Sequence, residues 1–167
     1  MINPTNKWNV IFLVDKIPLQ KMTLFKRAAD RDFAPNFYTG IGGKVEQNES
    51  IEGSAYRELE EETKIKNVKL HEFARVIIDS KLRLYYFWGI YKKKILPKSD
   101  VGSLEWVSKS KVLEKEIVPT TLCVVEELVR RDFNFNSPFT VLEEESFWDE
   151  KKKVRYVTAV EVKEGLL

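Results

Sequence analysis

Apolar positions fall in short runs along most of this chain, and the spacing within each run differs from segment to segment. Trp8 to Asp15 and Met22 to Arg27 are separated by Ile17-Pro18-Leu19-Gln20, which predicts two strands joined by a proline-containing turn. From Asp30 to Gly43 the pattern becomes polar and irregular, with Pro35, Asn36, Gly40, Gly42 and Gly43. That stretch reads as a loop whose glycines let backbone approach a ligand closely. The period then changes to four: Ile51, Ala55 and Leu59 recur on one side of a segment with Ser50 placed as N-cap and Glu52 in the first turn, predicting a helix from Ile51 to about Thr63. Val68 to Ile78 and Leu82 to Tyr91 are rich in β-branched and aromatic residues around an Asp79-Ser80-Lys81 break, as paired strands would be. Leu104 to Val107 is a further short strand. Pro119 to about Arg131 has helical spacing, with proline suited to the first turn. Phe139 to Glu143 and Val154 to Val162 alternate as strands around a charged connection containing Asp149, Glu150 and Lys151 to Lys153. Mixed strands with two principal helices predict an α/β or α+β fold, a sheet covered on its faces. With no internal repeat, low-complexity tract or composition shift, residues 1–167 are expected to form one domain.

Composition narrows the function classes. An apolar content of 43% over 167 residues suffices for one sizeable core. Lys and Arg number 28 against 26 Asp and Glu, so the net charge of +2 gives no electrostatic reason to expect DNA or a membrane as partner. The one early apolar run, Val10 to Val14, is too short for a signal segment or a membrane span. Cys123 is the sole cysteine, so no intrachain disulfide can form and no zinc spacing exists, which favours the cytoplasm. Cys123 itself, in the second helix, reads as a small packed residue. His71, the only histidine, stands in a Lys-Leu-His-Glu-Phe context that reads as a strand or its edge, which disfavours histidine-based nucleophilic triads.

The chemistry concentrates between Gly42 and Glu62. Six carboxylates occur from Glu49 to Glu62, and Glu58, Glu61 and Glu62 stand at i, i+3 and i+4 of the predicted helix, on one face. Taken alone, such a run is most simply a solvated helix face. Stacked like charges repel, however, and a hard cation that prefers oxygen ligands would relieve them. Magnesium is usually held by a few carboxylates, waters and phosphate oxygens, which this face and a nearby diphosphate would provide. Arg57, four residues before Glu61, can orient a carboxylate through paired hydrogen bonds. Ile51, Ala55 and Leu59 would meanwhile pack the opposite side on the sheet.

These residues resemble the signature of the Nudix hydrolase family, G-x5-E-x7-R-E-U-x-E-E-x-G-U with U an aliphatic residue. Here it reads Gly43, Glu49, then Arg57-Glu58-Leu59-Glu60-Glu61-Glu62-Thr63-Lys64-Ile65, 23 residues in all. One position departs: Lys64 stands where the family has glycine. A left-handed cap there costs lysine on the order of 1 kcal/mol, and the expected result is a shifted helix end with chemistry intact. The order of strands, loop and helices is also similar, so the resemblance implies a Nudix-type α/β/α sandwich with a mixed sheet.

The resemblance further implies divalent metal, Mg2+ with Mn2+ as possible substitute, held by Glu58, Glu61, Glu62 and the Gly42 carbonyl. Glu58 is the expected proton acceptor, with Glu61 and Arg57 as its catalytic companions and Glu49 as a structural member of the motif. Gly43 and Lys44 are expected at the phosphates, Lys44 as a point charge, with a solvated loop lysine as the lesser reading. Asn36 through Val45, with its Gly-Ile-Gly-Gly-Lys-Val-Glu core, and the closing segment Phe139 to Val162 resemble the MutT-like, 8-oxo-dGTP diphosphatase branch. A purine nucleoside triphosphate, canonical or oxidised, is therefore the first expected substrate, with Tyr38, Thr39 and Thr120 near the base. Thr39 replaces the loop asparagine of some relatives, and Thr120 and Thr121 replace an acidic pair, which leaves base identity open. Phe33 and Trp148 could also stack on a base or simply pack. Asp100 precedes Val101, where relatives often carry a further carboxylate. Nucleotide sugars, dinucleoside polyphosphates, RNA 5′ ends or a slow nucleotide-sensing role are the alternatives, and no basic stripe interleaved with aromatics marks the sequence as RNA-binding. A monomer or homodimer acting on a small nucleotide is expected.

Overall fold

The computed structural model describes residues 6–167. In chain order it contains β1 (Asn6–Val14), β2 (Lys21–Arg27), β3 (Tyr38–Thr39), α1 (Ile51–Thr63), β4 (His71–Ile78), β5 (Leu82–Ile90), β6 (Gly102–Ser108), α2 (Pro119–Arg130), β7 (Phe139–Asp149) and β8 (Val154–Glu164). The strands join in one mixed sheet ordered β3-β2-β1-β5-β4-β7-β8, with β6 on β2. β1 and β5 run parallel over nine residue pairs, and β4 and β7 over five. The two helices lie on opposite faces. Alternation along β1 sends Ile11 and Leu13 toward Ala55 and Leu59 of α1, and Val10, Phe12 and Val14 toward Val124, Val125 and Leu128 of α2. Burying Leu59, 1% exposed, contributes about 2 kcal/mol. The expected sheet between two helices is the architecture found.

The periodicities that announced α1 are its supports. Ser50 is in an extended conformation and its hydroxyl accepts from the Gly53 N–H at 2.9 Å, capping the first turn. At the other end Lys64 adopts φ 64°, ψ 6°, and its N–H donates to the Glu60 carbonyl at 2.8 Å. The helix end is therefore not shifted as expected: lysine takes the left-handed conformation itself and bears its cost, because the closing hydrogen bond and the buried Ile65 just beyond hold it there.

Two segments differ from the sequence reading. Ile41 to Val45 is not free loop but runs antiparallel along β1, through Ile11 N–H to the Ile41 carbonyl at 2.6 Å, Asn9 N–H to the Gly43 carbonyl at 2.9 Å and Val45 N–H to the Lys7 carbonyl at 2.9 Å. β1 pairs with β2 only at Val14 and Met22, which leaves that edge open for this segment. β7 also continues through Glu144 to Asp149, since exposed cross-strand pairs with β8 carry no burial pattern that a periodicity could reveal. His71 opens β4, exposed, with its ring 4.9 Å from that of Trp88.

β7 places a carboxylate in the core. Its inward row is Phe139, Val141 and Glu143, and Glu143 is 2% exposed with neither carboxylate oxygen hydrogen-bonded. Burial pushes its carboxyl up to about 7, eased slightly by the nearby Cys123 thiol and Thr120 hydroxyl. Burial likewise pushes the Cys123 thiol up to about 12, which makes it the inert packed residue its sequence context suggested.

Two outcomes test these local features. Lys64→Gly should raise unfolding free energy by about 1 kcal/mol without altering the denaturant slope, as measured by urea unfolding. For Glu143, whose folded value of about 7 stands above the ordinary 4.5, the folded chain binds the extra proton between those values. Stability from this group is present below pH 4.5 and is lost as pH rises through 7, by up to ~3 kcal/mol. Glu143→Gln should flatten that decline in melting temperature between pH 5 and pH 8, and an unchanged slope would contradict the assignment.

Candidate active site

The acidic face of α1 meets the glycine segment that β1 holds. An added Cβ at Gly43 would stand 2.5 Å from Glu58 Oε1, and one at Gly42 only 2.0 Å from the Asn9 carbonyl oxygen, so helix and strand could not approach this closely with side chains at either position. The Gly42 N–H points to Glu62 Oε2 at 3.4 Å. Asn9, 2% exposed, ties the two elements together: its amide donates to Ser54 Oγ at 2.8 Å, and its Oδ1 accepts from the Gly43 N–H at 3.3 Å. Nothing in the spacing of the sequence singles out Asn9, because its partners lie 34 and 45 residues away.

Arg57 organises the carboxylates. Its Nε and Nη2 bind Glu49 in a paired geometry at 2.6 and 3.0 Å. Its Nη1 reaches Glu58 Oε1 at 3.0 Å and Glu61 Oε2 at 3.1 Å, while Nη2 also donates to the Lys44 carbonyl at 3.2 Å. The paired partner is thus Glu49 rather than Glu61, since Glu49 approaches from the loop end-on to the guanidinium fork. The bond to Arg57 holds the Glu49 carboxyl below its usual range, and the same pairing raises the guanidinium further above its own. Glu49 also accepts from the Glu46 N–H at 3.0 Å and so fixes the loop before the helix.

Glu58 and Glu62 face the glycine segment. Burial raises both carboxyls; for Glu62, pushed up to about 7, the Glu58 charge is the next cause, and the Gly42 N–H, Arg31 and Arg27 ease it. Arg27 and Arg31 were not singled out by the sequence, since the fold alone sets β2 and its following turn beside α1. Glu61 lies close enough to add to the rise at Glu58, yet its carboxylate is 60% exposed and turned to Arg57. Among the described residues no three His, Cys, Asp or Glu side chains close around one point. Two hard carboxylates beside the glycine backbone have the chemistry of an open site for a divalent cation, with positions left to water and phosphate, and not of a closed cage.

The other expected residues lie apart from the carboxylates. Lys44 is exposed. Tyr38 in β3 has Lys115 and Lys26 over its ring at 5.2 and 5.8 Å, and its hydroxyl is pushed up to about 12 by burial and by Glu105. Thr39 reaches Thr121, not Thr120, with 3.1 Å between hydroxyls, and Thr121 continues to the Tyr86 hydroxyl at 3.2 Å. Thr120 is buried beside Glu143. Phe33 and Trp148 stack at 6.3 Å, both partly exposed. Asp100 is exposed in a bend and makes no hydrogen bond to the acidic helix among the described residues.

This arrangement of a glycine segment, an acidic helix and one organising arginine has a counterpart among known families, for the NUDIX domain description matches residues 7–128. The chain belongs to the NUDIX family. As a Nudix hydrolase it is a pyrophosphohydrolase of nucleoside diphosphate-linked substrates, and the family works with divalent metal. Among solved structures, the MutT protein of Bacillus halodurans is similar at 19% identity, with 95% of this chain and 97% of that one covered and a TM-score of 0.66. The Escherichia coli dihydroneopterin triphosphate pyrophosphohydrolase is similar at 15% identity, with 75% of this chain and 95% of that one covered and a TM-score of 0.57. A bifunctional NMN adenylyltransferase/ADP-ribose pyrophosphatase from Francisella tularensis, complexed with AMP and a manganese ion, shares 15% identity over 78% of this chain and 43% of that one, with a TM-score of 0.53. These likenesses show the common fold. No curated protein sequence matches the chain. No helix of this Nudix chain, among the described residues, is long and apolar enough to cross a membrane.

The tie through Asn9 is open to test. Asn9→Ala leaves the Gly43 N–H without its side-chain acceptor and should lower unfolding free energy by about 1–3 kcal/mol in urea titration. A loss below about 0.5 kcal/mol, the size of an ordinary surface change, would show that the tie carries no load.

Proposed function

We propose that this Nudix hydrolase is a magnesium-dependent enzyme that cleaves a purine nucleoside triphosphate, canonical or oxidised in its base, to the monophosphate and pyrophosphate. The observation that carries the reading is the pair of part-buried carboxylates, Glu58 and Glu62, set against the Gly42–Gly43 backbone and steadied by Arg57. Glu58, Glu62 and the Gly42 carbonyl would hold the metal, with Glu61 joining from the same helix face. A bound magnesium ion supplies charge neutralisation at the phosphate oxygens and acidifies a water.

The residues themselves divide the remaining work. Glu58 accepts the proton of the attacking water as its oxygen bonds to phosphorus and the diphosphate P–O bond breaks; its raised proton affinity makes it a better acceptor than an exposed glutamate. Arg57 keeps that carboxylate aimed, and Glu49 keeps Arg57 in place. Gly43 and Lys44 meet the phosphates, joined by Arg27 and Arg31 near Glu62. Tyr38, Thr39 and Thr120 border the base side. Supporting a base of mixed donor and acceptor character, the Thr39 and Thr121 hydroxyls can each donate or accept. The left-handed cap at Lys64 preserves the helix end, which speaks for turnover over a sensing role. The lone thiol suits a cytoplasmic enzyme.

The test is turnover of the purified protein with magnesium and a panel of canonical and oxidised nucleoside triphosphates, nucleotide sugars and dinucleoside polyphosphates, read as phosphate and pyrophosphate release. A purine triphosphate should be the best substrate, and Glu58→Gln should lower kcat by about 10²–10⁴. Best turnover of a sugar or dinucleoside substrate would move the assignment to that class, and nucleotide binding with no turnover would move it to a sensor.

A further inference from the structure

The near-neutral charge of the whole chain conceals a strongly basic face. Lys64, Lys66 and Lys69 lie in one segment and Lys92, Lys93, Lys94 and Lys98 in another, all seven exposed and with no acidic residue within either segment. Without them the chain would hold 21 Lys and Arg against 26 Asp and Glu, so the rest of the molecule is net acidic. Only the fold brings the two segments together. They line one cleft of about 800 Å³ at the C-terminal end of α1, to which Lys64 and Lys66 come from one segment and Lys92 and Lys93 from the other. Tyr91, also in its lining, is stacked on Trp106 with 6.5 Å between ring centroids. Of the seven lysines, only Lys66 has a carboxylate partner among the described residues, Glu60 at 3.4 Å. A second depression, lined by Arg57, Glu60 and Glu61, shares Lys64 and Lys66 with the cleft, so the two are continuous along the catalytic helix.

Four lysines around a concave surface without a lining carboxylate repel one another, and that cost is relieved by a ligand carrying several negative charges. A lipid surface would need these charges on a protrusion with several apolar side chains to insert, and the loop offers only Ile95, 86% exposed, at such a place. A concave basic cleft with an aromatic side chain in its lining suits the phosphodiester backbone of a single nucleic-acid strand. We propose that this cleft at the C-terminal end of α1 binds single-stranded nucleic acid through its phosphates. The inference stands apart from the hydrolytic reading, because binding needs neither metal nor a diphosphate.

Fluorescence anisotropy in EDTA, with labelled RNA and DNA strands of about 12 nucleotides lacking a 5′ phosphate, provides the test. The unaltered protein should bind both strands alike, with affinity falling steeply between about 50 and 200 mM salt. K92Q/K93Q should weaken binding about tenfold and lower the slope of log affinity against log salt by about 1.4, since each single-strand phosphate contact accounts for about 0.7. K151Q/K152Q, the same charge change on the exposed β7–β8 turn, should leave binding within about twofold. Equal weakening by both double variants, or no binding of either strand, would overturn the proposal. So would binding to vesicles containing phosphatidylserine, lost in K92Q/K93Q, with no binding of the strands.

Discussion

The crowding of negative charge on one face of α1 is the constraint around which the surrounding structure is arranged. Glu58, Glu61 and Glu62 share that face, and like charges at this spacing weaken a helix. Arg57 is the principal counterweight. A single guanidinium bonds to Glu49, Glu58 and Glu61 and to the Lys44 carbonyl, so one planar side chain links the helix to the loop before it and to the strand-like glycine segment. Lysine, a point charge without the fork, could not hold that set. Glu62, beyond the reach of Arg57, has the Gly42 N–H and the fields of Arg27 and Arg31 instead.

That arrangement requires the glycine segment to be in register with β1. The hydrogen bonds of Asn9 and Ile11 to Gly43 and Ile41 fix its position, and the parallel pairing of β1 with β5 buries β1 between both helices. The site is thus built on a central strand, with the glycine segment anchored along the strand edge. Rigidity of this kind keeps charged groups at set distances without an input of free energy at the moment of reaction.

Charge is also distributed along α1 in a way that composition hides. Acid covers the outer face up to Glu62, while lysines gather just past the C-terminal end, where the helix dipole favours cations. The two fields are adjacent. The lysine cleft attracts anions at the end of the same helix whose acidic face attracts a cation.

Much of this could be read before any coordinates. The helix boundaries of α1 and α2 follow from periodicity, Ser50 and Pro119; the acidic face follows from i, i+3 and i+4 spacing; the family follows from the pattern Gly43 to Ile65. All of these are local, fixed by contacts within a few turns of chain. Long-range contact decided the rest. Asn9 became a tie only when Ser54 and Gly43 arrived from distant segments, and Glu49 displaced Glu61 as the paired partner of Arg57 through the course of the loop. Glu143 entered the core because β7 pairs with β4, and two unremarkable lysine segments became one basic cleft because the end of α1 meets the end of β5. The sequence by itself determined which elements form and which chemistry they carry, since propensity and side-chain spacing act along the chain; the tertiary structure alone decided which charges and hydrogen-bonding groups confront one another, since those energies depend on distance in space.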